Sequence, residues 1–245
     1  MRIKSRSSVL AAAAAGCVGA VALSACGSSS TGAQSAQSHP VHKSSGGSSA
    51  ASGSKAAGAA AASGPVRSLQ VSSDSGSITV KGTSGSLVVD QRSGNSLVPA
   101  PHKLSDGTLT VGSPGASNSY YIQVPQSAAV NATAAHGAIT LSSLAGQLQA
   151  TAASGTIAGQ DLSAKNATFS SHSGGIDTSF SAPPKNIAAT AQTGAVLIRV
   201  PRSASYQVNA HSGRGAAQVM VPKDTSAQHV ITATAGSGPV MVMPV

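Results

Sequence analysis

Cys26 is the residue whose neighbours commit it to a particular chemistry. It ends the run Leu23-Ser24-Ala25-Cys26, which closes an N-terminus carrying Arg2, Lys4 and Arg6 and then an apolar, Ala-rich stretch from Val9 to Leu23. A charged segment followed by an apolar one with small residues at its exit is a secretory signal. A cysteine directly after those small residues makes the pattern that of a bacterial lipoprotein. The thiol is alkylated by a diacylglyceryl group, the chain is cut before Cys26, and the acyl chains hold the product to a membrane. Each buried methylene contributes about 0.8 kcal/mol, so two or three chains anchor firmly where one is marginal. The apolar stretch, about 15 residues, falls short of the roughly 20 that span a bilayer. Residues 1–25 are therefore expected to be a signal peptide, and Cys26 the lipidation site on the extracytoplasmic face of the cell membrane.

The other side chains with chemical potential are few. The carboxylates are Asp74, Asp90, Asp106, Asp161, Asp177 and Asp224, and the chain has no Glu. Glycan hydrolysis needs two carboxylates about 5–10 Å apart, and only a folding coincidence would bring Asp74 to Asp177. Asp106-Gly107 reads as a turn. Gly174-Gly175-Ile176-Asp177 is a single imperfect copy of a calcium-binding nonapeptide, which works only in series. No catalytic residue, metal site or cofactor is therefore expected. His136, His172 and His211 each stand one or two residues before a glycine. Stacked in register they would be about two coils apart, too far for one ion and more consistent with ordinary corner residues. Arg199, Arg202 and Arg214 lie close in sequence and are the candidate anion-binding residues.

Composition narrows the partners. The formal net charge is +9, with three of those cations inside residues 1–25. That favours anionic neighbours such as lipid head groups or acidic wall polymers, but weakly. Scattered basic residues and an aromatic content of 2% leave no stacking platform for nucleic acid. Of the two cysteines, Cys17 leaves with the signal and Cys26 is lipidated, so neither a disulfide framework nor thiolate zinc is available. Residues 26–65 are Ser, Gly and Ala with occasional Gln, His and Lys, too poor in large apolar groups to fold. They read as a flexible tether with a typical reach of about 30–40 Å.

From Val66 onward the elements that must position any site come into view. A unit of small residue, Gly, any residue, apolar recurs: Ser75-Gly76-Ser77-Ile78, His136-Gly137-Ala138-Ile139, Ser154-Gly155-Thr156-Ile157, Ser173-Gly174-Gly175-Ile176 and Thr193-Gly194-Ala195-Val196. Glycines 137, 146 and 155 are nine apart, and glycines 155, 174, 194 and 213 step by 19, 20 and 19. A fixed period near 19 is a repeat architecture. Residues two apart share a strand face, so Ile157 and Val196 are expected inward and Thr156 outward. Ala150, Ala189 and Ala210 imply a thin cross-section. Strands this short are stable only when stacked, which predicts a parallel β-solenoid of about 19-residue coils, right-handed by the crossover rule, over residues 66–245. An antiparallel β-sandwich is the alternative, since it too has turns every 8–12 residues. Segment 91–120, interrupted by Pro99, Pro101 and Pro114, is read as a coil with an excursion on each side.

These Ser-Gly-x-Ile/Val units, with the turns Val124-Pro125-Gln126-Ser127-Ala128 and Val200-Pro201-Arg202-Ser203-Ala204, resemble the bacterial putative-adhesin repeat domain, a domain of unknown function on exported proteins. The resemblance covers about 66–245. It implies a β-solenoid at the cell surface and carries no catalytic residues. The expected function is a lipid-anchored, non-enzymatic adhesin-like module that binds envelope polymer or a surface protein. A wall-polysaccharide lyase or hydrolase and a solute-binding lipoprotein are the rival readings. The last strand, Val240-Met241-Val242, is expected to expose an edge guarded only by Pro244, and hence to favour end-to-end self-association by strand addition.

Overall fold

The computed structural model describes residues 64–113 and 115–245. The signal segment, Cys26 and the tether, apart from Gly64 and Pro65, lie outside the described residues. Every regular element described is a strand. β1 (Ser68–Ser73) and β2 (Ile78–Thr83) make a first coil. β3 (Val88–Ser93), β4 (Ser96–Pro99), β5 (His102–Ser105), β6 (Thr108–Val111) and β7 (Tyr120–Pro125) follow. Regular coils then pair β8 (Ala129–His136) with β9 (Ile139–Ser142) and β10 (Leu148–Ser154) with β11 (Ile157–Leu162). β12 (Asn166–Ser173) with β13 (Ile176–Phe180) and β14 (Asn186–Thr193) with β15 (Val196–Val200) continue them. The last two coils are β16 (Gln207–Ser212) with β17 (Ala217–Val219) and β18 (Val230–Ala235) with β19 (Val240–Pro244).

One strand of each coil joins a nine-stranded sheet and the other a ten-stranded sheet, here called sheets A and B. Neighbouring coils pair in parallel, with Val130 opposite Leu148, Leu148 opposite Ala167 and Ala167 opposite Ile187, steps of 18, 19 and 20 residues. The chain is therefore a parallel β-solenoid, and the antiparallel sandwich is excluded. The nine-residue glycine spacing is half a coil. Gly137 and Gly155 sit at the corner from sheet A to sheet B, whereas Gly146 sits at the return corner, each against a carbonyl of the preceding coil.

The core is the thin layer between the sheets. Sheet B contributes large inward residues, with Ile78, Ile139, Ile157, Ile176, Val196 and Val240 in one ladder, all at most 1% exposed. Sheet A mixes large and small inward residues, with Leu148, Phe169 and Ile187 beside alanines: Ala150 and Ala189 are buried as expected, while Ala210, on an end strand, is only partly so. Large against small across a layer gives dense packing. One inward hydroxyl is left without a partner: Thr178 is 0% exposed and its Oγ1 has no hydrogen bond among the described residues. An unsatisfied buried hydroxyl costs about 1–3 kcal/mol, and replacing it by an isosteric methyl removes that cost. Thr178→Val is expected to raise the midpoint of urea unfolding without changing its slope; an unchanged or lowered midpoint would contradict this reading of the core.

Coil order departs from chain order at both ends. In sheet A the order is β16-β18-β14-β12-β10-β8-β1-β6-β5, so the last coil lies one place inside the stack and the first lies inside β6 and β5. Gly213 consequently stacks on Gly236, and it is Gly238 that stacks on Gly194. The reason is apolarity. Ile231, Val240 and Val242 in the last coil are 0% exposed, whereas the coil Gln207–Val219 offers Gln207, Asn209, Gln218 and a three-residue strand. The more apolar coil takes the position with two neighbours. The expectation of an exposed edge at Val240–Val242 is thereby corrected. β19 is paired on both sides, with β15 and β17, and Pro244 lies opposite Val200 inside sheet B.

Segment 91–120 also differs from expectation. It supplies two antiparallel hairpins, β3–β4 closing sheet B and β5–β6 closing sheet A, rather than one coil with excursions. The reading of Asp106-Gly107 as a turn holds, with φ of 53° and 78°, the left-handed pair that a two-residue hairpin demands. At the other end Tyr206 is fully buried and donates from its hydroxyl to the Pro201 carbonyl at 2.8 Å. Burial pushes its phenol above the usual range, which keeps that donor protonated.

Candidate functional site

The outer face of sheet A carries a trough of about 890 Å³. Strict alternation builds it. In β10 the residues Leu148, Ala150 and Ala152 face in while Gln149, Thr151 and Ala153 face out, and β8, β12, β14 and β18 repeat the arrangement in register. The pairings place Ser72, Thr133, Thr151, Ser170, Thr190 and Thr234 in one line across six coils. Adjacent members of the line are thus about 4.7–4.9 Å apart at the backbone, the strand spacing. A second line, Gln70, Asn131, Gln149 and Thr168, runs beside it. Ala135 and Ala153 lie on the other side of the hydroxyls and, being short, leave the trough open.

The corner serines fix its floor. Ser171 faces inward, is 2% exposed and donates to the Gly155 carbonyl at 3.2 Å. Ser73 donates to the Asn118 carbonyl at 2.8 Å and accepts from the Gly76 amide at 3.0 Å. Each thereby ties a strand end to a corner and satisfies a buried hydroxyl. The chemistry on offer is neutral: hydroxyl donors and acceptors interleaved with methyl groups. Asp74 is the one carboxylate among the described lining residues, and His172 the one imidazole. A lone carboxylate provides no acid–base pair for glycan cleavage.

The residues singled out by sequence fall elsewhere. Arg199 projects from β15 on the outer face of sheet B and is paired with Asp177 of β13 at 2.5 Å. Both are substantially exposed, so the pair contributes little to stability. Arg202 lies in the turn beyond the end of β15, whereas Arg214 lies in the corner before β17. Those positions are at opposite ends of the sheet B strands, roughly 13 Å or more apart at about 3.3 Å per residue. The structure does not bring the three arginines together as an anion patch. Nor do the histidines stack. His136 aligns with Ser154 and Ser173, donating to or accepting from Ser154 Oγ at 2.8 Å, and His211 aligns with Thr234. Among the described residues no group of three or more His, Cys, Asp or Glu is placed to hold a metal ion. Asp74 and Asp177 lie on different sheets' sides of the coil, the first at the trough and the second on β13.

Sequence reasoning followed the glycines and so missed the trough. The signal was present one strand earlier, in Ala150-Thr151-Ala152, Phe169-Ser170-Ser171, Ala189-Thr190-Ala191 and Ala233-Thr234-Ala235. Each is an outward hydroxyl between two small or inward residues, repeating with the coil.

Comparison with known proteins follows the fold. No curated protein matches the chain. A solved structure from Clostridium sporogenes ATCC 15579, described as a putative cell adhesion protein, is similar at 12% identity and a TM-score of 0.43, over 75% of this chain and 95% of that one. The model of the family described as Toastrack DUF4097 matches residues 62–242, the two hairpins and every coil from β1 to β18 included. With well over half of its length matched, the chain belongs to the Toastrack DUF4097 family.

Proposed function

We propose that this chain is a non-enzymatic, adhesin-like surface module, anchored to the outer face of the cell membrane through a lipid on Cys26, that holds an extended neutral glycan of the cell envelope in the trough of sheet A. The supporting observation is the in-register line of hydroxyls from Ser72 to Thr234 beside exposed Ala methyls. A sugar ring presents hydroxyls at its rim and C–H groups on its faces, so it pairs with both components of this surface. A groove that repeats at each coil suits a ligand that also repeats, and contacts summed along a chain give affinity where each alone is weak. Scattered, solvated arginines give an acidic polymer no comparable repeating surface.

The test is cosedimentation of the full chain with isolated cell-wall polysaccharide. Thr151→Arg with Thr190→Arg places two bulky cations on exposed positions of the trough and spares the core. Wall binding is expected to fall by about tenfold or more, the effect of losing about 1.4 kcal/mol at the centre of an interface. Gln160→Arg, on the opposite sheet, leaves it unchanged. In the same fractionation Cys26→Ser releases the protein from the membrane pellet without altering wall binding. Equal wall binding by the double variant overturns the trough as the site. Retention of the Cys26→Ser protein with the membrane overturns the anchor.

A further inference from the structure

On the outer face of sheet B, at the end of the stack away from the hairpins, three methionines occupy neighbouring positions. They are Met220, Met241 and Met243, all of the chain's methionines except Met1. β19 alternates strictly: Val240 and Val242 are 0% exposed, and Met241 and Met243 face out, half-buried. Gln218 lies opposite Met241 and Val219 opposite Val242 on β17. The Met220 amide extends that ladder by donating to the Val242 carbonyl at 2.7 Å, which sets Met220 beside Met243. Met220 is 56% exposed.

We propose that Met220, Met241 and Met243 form a three-thioether site for Cu(I). Their backbones are separated by about 4.7–4.9 Å across the strands and about 6.6 Å along β19. Methionine has three rotatable bonds, so side chains rooted at those separations bring their sulfurs to one point above the sheet. Thioethers are soft ligands that select monovalent copper and offer little to hard cations, which require oxygen. The nearby carboxylate does not compete, since Asp177 is engaged by Arg199, itself opposite Met243. Leu197, opposite Met241, gives the site an apolar neighbour on its inner side. Filling the core does not account for these residues. Most equivalent outward positions on earlier strands are polar or charged, Thr79, Lys81, Thr140, Asp177 and Arg199 among them, as expected of a solvated face.

The experiment uses the full chain in nonionic detergent with Cys17→Ser and Cys26→Ser, so that no thiol competes. Under anaerobic reducing conditions the protein is offered Cu(I) as its complex with a colorimetric chelator. It is expected to withdraw a single Cu(I) per chain. Met243→Leu lowers the affinity by at least the roughly 10–100-fold that loss of an outer-shell partner costs a metal site. The triple change to Leu withdraws none, and as a volume-conserving swap it leaves the circular dichroism and melting intact. A thioether carries no proton to release, so binding persists on mild acidification, whereas histidine or thiolate binding is lost. The redox-inert ion Ag(I) is expected to shift the methyl resonances of the three methionines and leave Met1 unmoved. Failure of the parent to withdraw copper, equal withdrawal by the triple variant, or loss of binding on mild acidification overturns the proposal.

Discussion

Ile157→Asp is expected to unfold the domain, and Thr156→Asp, one residue earlier, to leave it folded. Ile157 is 0% exposed at the centre of the sheet B ladder, with Ile139 on one side and Ile176 on the other, whereas Thr156 is exposed at the corner. Removing a buried Ile side chain forfeits about 1.5–3 kcal/mol of burial. A carboxylate in that position adds several kcal/mol more, because the core between the sheets offers it no partner. Set against a typical domain stability of about 5–15 kcal/mol, the loss is comparable to the whole. An exposed substitution changes stability by about 0.5 kcal/mol or less. Urea unfolding followed by circular dichroism checks the pair, and similar midpoints for both would overturn the register. The pH dependence adds a second signature. A buried carboxyl has a folded-state pKa above its unfolded one, so the folded state binds the proton more tightly. Stability is therefore regained as pH falls through the raised pKa and lost as pH rises.

That register was legible in the sequence because two periodicities agree on it. Alternation at period two assigned Ile157 and Val196 to the inside, and the recurrence near 19 assigned both to the same ladder. What the sequence did not reveal is which coil neighbours which. Glycines at 194 and 213 keep the period, yet a later coil lies between theirs. Spacing along a chain records how long a coil is, and a coil has no memory of its neighbour's number. Order is decided by how much apolar surface each coil gains from having two neighbours, and Val240 with Val242 outbids Ala217 with Val219. A comparable inversion puts β1 and β2 between the coil of β6 and β7 and that of β8 and β9.

The candidate site was less legible for a related reason. Arg199, Arg202 and Arg214 lie within 16 residues of one another, but in a coil of about 19 residues positions roughly half a coil apart lie at opposite corners, so closeness in sequence is no guide. Residues one full coil apart are the ones that meet. Thr151 and Ser170, or Ser170 and Thr190, are neighbours in space for that reason. In a solenoid, site prediction should therefore compare positions at the coil period before it compares adjacent ones. That rule locates both the hydroxyl line and, with the inverted last coil taken into account, the methionine cluster.

Gly155→Ala is expected to destabilise the domain severely, while Gly85→Ala, in the similar unit Ser84-Gly85-Ser86-Leu87, is tolerated. Gly155 has a φ of 148°, and a Cβ there would overlap the Gly137 carbonyl of the preceding coil. The Gly155 carbonyl in turn occupies the space where a Cβ on Gly174 would lie. Corner backbones in successive coils are thus in direct contact, and neither side can yield without parting the hydrogen-bonded ladders on both sheets. Backbone strain of about 1–3 kcal/mol combines with overpacking of about 1–3 kcal/mol, and both fall on a coil whose stability depends on its neighbours. Gly85 precedes the antiparallel strand β3 instead of closing a coil, and the nearest atom to its added methyl is the Thr83 hydroxyl at 3.4 Å. There, a narrower unfolded ensemble favours Ala by about 0.4–1 kcal/mol. Urea midpoints of the two variants decide the matter: a large fall for Gly155→Ala with no fall for Gly85→Ala is the expected result. Equal falls would mean that the glycine column is not what sets the distance between coils.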